Sequence, residues 1–232
     1  MPDATSAAKS RTGPGARTRP SFWRAVLEYA RAIGLAVLCA LFIRQFLFQA
    51  FRIPTGSMEK TLLVGDFLFV DKFIYGSKSP DRIRLFGRTL VKDLPVLKLP
   101  AVRQPRQGDI IVFQYPRDPD QDYIKRCVAV AGDTVAVRDG LVYVNSALCE
   151  DHSWHDGDKL LRGSELNRRF GPYVVPPGHL FMMGDNRYNS ADSRFWGPLP
   201  LRLVKGRALF IYWSWDKDRL RPRLSRLGDI IR

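Results

Sequence analysis

A serine hydrolase usually draws its base from a histidine held by a carboxylate, and this sequence has only three histidines, His152, His155 and His179. His152 and His155 lie in the polar stretch DHSWHD, whose HxxH spacing hints at a metal but lacks a third ligand, and His179 follows Pro176-Pro177-Gly178 in a turn. None has the setting of a catalytic base. The cysteines are Cys39, Cys127 and Cys149, with no CxxC and no zinc spacing, so neither a metal nor another cofactor is expected. The other available base is a lysine whose amine is kept neutral by desolvation, which can take the proton of a serine hydroxyl. Lys125 is the candidate. It sits in YIKRCVAV, where alternation puts Tyr123, Lys125 and Cys127 on one face and Ile124, Arg126 and Val128 on the other. The same pattern also fits a lysine pointing to solvent from a half-exposed strand. A candidate nucleophile stands in Pro54-Thr55-Gly56-Ser57, a glycine-flexed turn, though composition alone reads it as a turn and nothing more.

The elements that must position these residues read as β structure. Runs such as DFLFVDKFIY, DIIVFQY, YIKRCVAV, LVYVN, HLFMM and ALFIYWSW are short, rich in β-branched and aromatic residues, and bounded by Gly, Pro, Asp or Asn. After Phe51 no long helical period appears. The expectation is a mainly β protein, an all-β domain of sandwich or barrel type with one N-terminal transmembrane helix, and with an irregular polar insertion at about residues 146–175. The apolar stretch Leu94 to Val102 is broken by prolines and reads as an exposed loop or membrane-contacting edge.

Ahead of the β runs lies an apolar segment. Ala32 to Ile43 carries no charge, and the apolar character resumes after Arg44 and Gln45 to Phe51, twenty residues that as a helix match the hydrocarbon thickness. We therefore expect a basic flexible tail over residues 1–25, a membrane anchor over 26–51 and an extracytoplasmic domain over 52–232. A cleaved export signal shares the basic start and short apolar core, but IRQFLFQAFRIP offers no small-x-small site. Six Lys/Arg within residues 1–31 place the N-terminus in the cytoplasm by the positive-inside rule.

Composition sets the outer bounds: 45% hydrophobic and 26% charged residues exclude disorder of the whole chain. The formal net charge of +14 raises nucleic acid as a partner, but the basic excess is spread over tail, core and C-terminus with no basic stripe interleaved with stacking aromatics, so no nucleic acid is expected. An anionic membrane surface accounts for it equally well.

One further segment decides among these readings. FRIPTGSMEKTLLVGDFLFVDKFIYG, Phe51 to Gly76, resembles the signature IPSGSMxPTLxxGDxxxVxKxxYG of bacterial type I signal peptidases, and QGDIIVF, YIKRCVAVAGDTV, LVYVN and GDNRYNSADSRFWGPLP follow in family order. The resemblance covers most of the chain after Ile53 and the anchor. It implies a membrane-anchored serine endopeptidase that removes N-terminal signal peptides from exported preproteins after an Ala-x-Ala-like site. Ser57 would be the acylating nucleophile and Lys125 the general base. Thr55, standing where the family often has Ser, would join the Ser57 N–H in the oxyanion hole. Ser190 matches the hydroxyl that orients the lysine amine, and Asp192 and Arg194 match a structural ion pair. Ile53, Pro54, Met58, Leu62 and Ile124 flank the dyad and would line shallow apolar substrate pockets. The implied partners are preprotein signal peptides, membrane lipid and the export machinery, and the implied location is the bacterial inner membrane with the catalytic domain on the periplasmic face. A specialised maturation peptidase or an inactive paralogue would share the fold; both dyad residues are present.

Three departures stand out. Lys60 occupies a position usually held by proline, which predicts a less rigid loop after the nucleophile. Tyr188 stands where Asp is frequent, and the cysteines match no family disulfide.

Overall fold

A computed structural model of the chain describes residues 22–76, 83–85, 88–91, 100–149 and 165–232. The chain divides between Leu41 and Phe42 into two compact units. The first contains all but the last residue of helix α1, Phe22–Phe42, whose 21 residues cover about 31 Å at 1.5 Å per residue and bury no side chain within the protein.

The helix ends nine residues before the end of the expected anchor. Residues 43–47 form a π turn, and Phe48–Arg52 is a strand, β1, hydrogen-bonded in antiparallel register with β2, Asp66–Asp71, so that Phe48 faces Asp71 and Arg52 faces Phe67. The anchor drawn to Phe51 is corrected accordingly. Alternating exposure along FQAFR, with Phe51 packed on the core, is the period-2 signature that a continuous apolar run conceals when the preceding helix is apolar too.

The second unit is mainly β, as expected. Its remaining strands are β3 (Ile83–Leu85), β4 (Arg88–Val91), β5 (Ile110–Tyr115), β6 (Asp118–Val130), β7 (Thr134–Arg138), β8 (Leu141–Val144), β9 (Ala147–Leu148), β10 (Arg169–Val174), β11 (His179–Met183), β12 (Leu199–Pro200), β13 (Val204–Asp216) and β14 (Arg221–Pro222). The large sheet runs β1-β2-β13-β5-β6-β11-β12 with β14 on β13, all pairs antiparallel, and a four-stranded sheet runs β10-β7-β8-β9. Within the expected irregular insertion lie β9, the short helix α2 (Glu165–Arg168) and β10, while residues 150–164, with His152 and His155, lie outside the described residues, as do residues 94–99 of the proline-broken stretch.

Three apolar clusters hold the unit together. The first, beneath the Pro54–Ser57 turn, joins Ile53, Met58, Leu62, Leu68, Ile124 and Ile211. Its far edge is closed by the end of the chain, which returns along β13: the Ile231 N–H donates to the Leu209 carbonyl at 2.8 Å and the Ile211 N–H to the Asp229 carbonyl at 3.0 Å, and the Ile231 side chain is buried in the cluster. On the way Arg226 donates through Nη2 to Asp66 (2.8 Å) and to the Thr61 carbonyl (2.8 Å). Asp66 is fully buried and also accepts from Ser214 Oγ (2.6 Å) and the Leu63 N–H (2.8 Å). The loop that follows Ser57 is thus tied to residues more than 150 positions away.

Candidate active site

Ser57 sits in a single 3-10 turn, Gly56–Met58, that begins where β1 gives out. Ile53 still pairs with the start of β2, its N–H donating to the Asp66 carbonyl at 2.9 Å and its carbonyl accepting from Gly65 at 3.0 Å. Pro54 and Thr55 are exposed, and Thr55 is extended at φ −130°, ψ 156°. Met58 and Leu62 turn fully inward, and the Leu62 N–H closes on the Met58 carbonyl at 2.8 Å. Between them Lys60 takes φ +81°. Proline cannot adopt that angle, because its ring holds φ near −65°, so the lysine at this position reflects a left-handed backbone.

Lys125 comes from the centre of β6, opposite Ile111 of β5. Its Nζ lies 2.7 Å from Ser57 Oγ and 3.0 Å from the Ile124 carbonyl, and the residue is 4% exposed. Burial pushes its amine down from 10.5 to about 8, against the opposing pull of Asp192 and Asp185. As an ammonium it donates to Ser57 Oγ; once neutral, it can accept the hydroxyl proton along the same line. The solvent-facing alternative for this strand is thereby excluded. Ile124, its neighbour on the opposite face, packs with Ile53 and Met58 in the first cluster. Of the five expected pocket residues, Ile53, Met58, Leu62 and Ile124 form buried floor and only Pro54 is exposed.

The turn after β11 supplies the rest. Gly184 is squeezed behind Ser57: a methyl group on it would stand 2.5 Å from the Ser57 carbonyl oxygen and against Ser190 Oγ. Ser190 is brought to the site and is 8% exposed, but its hydroxyl is without a hydrogen-bond partner among the described residues, so the lysine-orienting contact expected of it is not made. The amine is held by Ser57 and the Ile124 carbonyl instead. Asp192 and Arg194 form the expected ion pair, with Nη2 to Oδ2 at 2.8 Å and both side chains buried, and Asp192 caps the short helix α3, Ser193–Trp196.

Several participants were missed from the sequence. Arg126, next to Lys125, donates to both oxygens of Asp185, Nε to Oδ1 at 2.8 Å and Nη2 to Oδ2 at 2.7 Å, and Thr61 Oγ1 donates to the same carboxylate at 2.6 Å. This buried pair staples the 184–190 turn to β6 and to the loop after Ser57. Asn186 reaches Gly56, Ser57 and Glu59. The charge of Asp185 inside a GDNR turn was the only available signal, and it reads equally well as a local turn. Tyr188 is half-buried, and its hydroxyl lies over the turn glycine Gly140 between β7 and β8. His179 is held at the start of β11, where Nδ1 lies 2.9 Å from the Pro177 carbonyl. Cys127 and Cys149 do not form a disulfide, Cys149 Sγ accepts from Gln107 Nε2 at 3.6 Å, and burial pushes the Cys127 thiol up to about 12. Among the described residues no three His, Cys, Asp or Glu side chains converge as metal ligands.

A family profile described as "Signal peptidase, peptidase S26" matches residues 26–213. The chain is 34% identical over 238 residues to the signal peptidase I of Pseudomonas aeruginosa, covering 88% of this chain and 79% of that one. It is 33% identical to the signal peptidase I of Aquifex aeolicus, covering 81% and 84%. It is also 34% identical over 193 residues to thylakoidal processing peptidase 1 of Arabidopsis thaliana, covering 82% of this chain and 49% of that protein.

Proposed function

The chain belongs to the S26 signal peptidase family and is a serine endopeptidase, and we propose that it releases exported preproteins from their N-terminal signal peptides through a Ser57/Lys125 dyad. The observation that carries this is the 2.7 Å contact between a buried lysine amine and a serine hydroxyl.

In the reaction, neutral Lys125 takes the Ser57 proton as Oγ attacks the carbonyl carbon of the scissile bond. The negative charge on the carbonyl oxygen is met by the Ser57 N–H and the Thr55 hydroxyl. The resulting ammonium gives its proton to the departing amine, which leaves as the mature N-terminus. A water then attacks the acyl-enzyme, losing its proton to Lys125 and restoring Ser57. The substrate lies extended along Pro54 and Thr55, in the manner of an added strand. Because Ile53, Met58, Leu62 and Ile124 are closed over in the core, only shallow depressions are left for side chains, which accounts for small residues at the two specificity positions.

Helix α1 anchors the enzyme as a single span with the basic N-terminus in the cytoplasm and the catalytic unit on the periplasmic side of the inner membrane, where preproteins emerge from the export machinery beside anionic lipid. The test is cleavage of a purified preprotein in detergent. Ser57→Ala and Lys125→Met should each abolish it with unchanged thermal unfolding of the Ser57→Ala protein, and the double variant should be no worse than either single one. A Ser57→Ala protein that still cleaves would end the proposal.

A further inference from the structure

Gly56 is a weak determinant of its own peptide plane. It has no Cβ, so nothing in the residue itself decides which way the Gly56–Ser57 amide faces. Yet that amide carries the Ser57 N–H. In a planar trans peptide the carbonyl of Gly56 and the N–H of Ser57 point in opposite directions, so whatever holds the first oxygen aims the second hydrogen.

Two groups hold it. The Glu59 N–H donates to the Gly56 carbonyl at 3.1 Å, and Asn186 Nδ2 donates to the same oxygen at 3.2 Å. The second hydrogen of Asn186 Nδ2 goes to Glu59 Oε2 at 3.1 Å, and the Asn186 backbone N–H donates to the Ser57 carbonyl at 3.1 Å. One residue of the 184–190 turn therefore fixes the peptides on both sides of the nucleophile. The side-chain amide cannot be turned over, because its oxygen would then face two acceptors. Its orientation has a cost: Asn186 is 3% exposed and its Oδ1 is buried without a hydrogen-bond partner among the described residues, which is uncommon for a buried amide oxygen. The Glu59 carboxylate is pressed so closely against Gly56 that a methyl group there would stand 2.5 Å from Oε1. A turn that only needed closing would require neither the orphaned oxygen nor the second acceptor.

We propose that Asn186, braced by Glu59, is a positioning residue that fixes the Gly56–Ser57 peptide plane and so aims the Ser57 N–H at the scissile carbonyl oxygen. The inference rests on the assignment of Ser57 as nucleophile. It makes the oxyanion donor a property of two distant segments rather than of the serine turn alone. The contribution appears only as charge develops, so it belongs to turnover and not to substrate binding.

The test compares Asn186→Ala, Asn186→Asp and Glu59→Ala with the wild type, using a preprotein-derived peptide and the matching peptide boronate, which forms a tetrahedral adduct on the serine oxygen. Loss of an oxyanion donor typically lowers kcat by about 10²- to 10³-fold, and misaiming it should take a part of that, about 10- to 100-fold for Asn186→Ala. KM should stay within about twofold, and boronate affinity should fall by the same factor as kcat/KM. Asn186→Asp should be worse than alanine, since a carboxylate oxygen would then face Glu59 and the Gly56 carbonyl. Glu59→Ala, a half-buried change that leaves Asn186 in place, should lower kcat by a smaller factor with the same KM and boronate pattern, and decides the matter should the Asn186 variants fail to fold. Wild-type kcat in the folded variants, or a loss carried by KM with boronate affinity unchanged, overturns the positioning role. Retained cleavage by Ser57→Ala would instead overturn the nucleophile assignment, so the two failures are distinguishable.

Discussion

Burying the Lys125 amine has two measurable consequences, one in rate and one in stability. With its amine pushed down to about 8, roughly a tenth of the enzyme is in the neutral, competent form at pH 7, half at pH 8 and about nine-tenths at pH 9. Cleavage of a peptide substrate should therefore rise about tenfold from pH 7 to pH 9 and then level off; an amine at its ordinary 10.5 would keep rising tenfold per pH unit through that range. The stability effect has the same origin. The folded chain gives up its proton near pH 8 and the unfolded chain only near 10.5, so between these values the unfolded state binds more protons and stability rises with pH. Below pH 8 the buried ammonium costs about 3 kcal/mol, from 1.36 kcal/mol per pKa unit, and this cost is relieved as pH climbs toward 10.5. Lys125→Met has no such cost. Denaturant unfolding of wild type and Lys125→Met should thus show a difference that is constant below about pH 7.5 and moves in favour of wild type by about 1 to 2 kcal/mol by pH 9.5. An acid limb near 6.5, or a stability difference independent of pH, would refute the argument that desolvation prepares this base.

Thr55→Val keeps the shape of the residue and removes its hydroxyl, so kcat in the peptide assay should fall about 10²- to 10³-fold with little change in KM, while Thr55→Ser should cut at close to the wild-type rate. At position 60 the left-handed backbone makes a direct test of the loop: Lys60→Pro should destabilise the protein by about 3 kcal/mol or more in thermal or denaturant unfolding, and Lys60→Gly should be neutral or stabilising by up to about 1 kcal/mol.

Much of the candidate site is written in local sequence, because the two residues proposed to do its chemistry lie in two short segments. The serine turn and the lysine strand each hold their functional residue in a recognisable run, and alternation along YIKRCVAV correctly separates Lys125 from Ile124. The supports are less legible. Arg126 meets Asp185 across 59 positions and Arg226 meets Asp66 across 160, pairings that no periodicity encodes and that arise only when strands from distant parts of the chain become neighbours. Lys60 looked like a loosened loop because a missing proline suggests freedom. Its φ shows a specific conformation that proline would forbid. The end of the helix was misjudged for a related reason. Hydropathy sums apolar residues without regard to period, and an apolar strand directly after an apolar helix adds to the same total.

That boundary matters to anyone wishing to study the catalytic unit without its helix. A cut made by hydropathy, after Phe51, would remove all but the last residue of β1 and leave the backbone of β2 unpaired on one side, along a strand whose outward residues include Phe67 and Phe69. An open, aromatic strand edge is a template for another copy of itself, and such a protein would tend to associate through that edge and be lost as aggregate. A cut at Leu41, where the chain's own contacts divide, keeps the covering strand and its five paired residues. In this protein only the five residues 43–47 separate the apolar helix from the first strand of the sheet, so the limit of the catalytic unit is set by hydrogen bonding and not by oiliness.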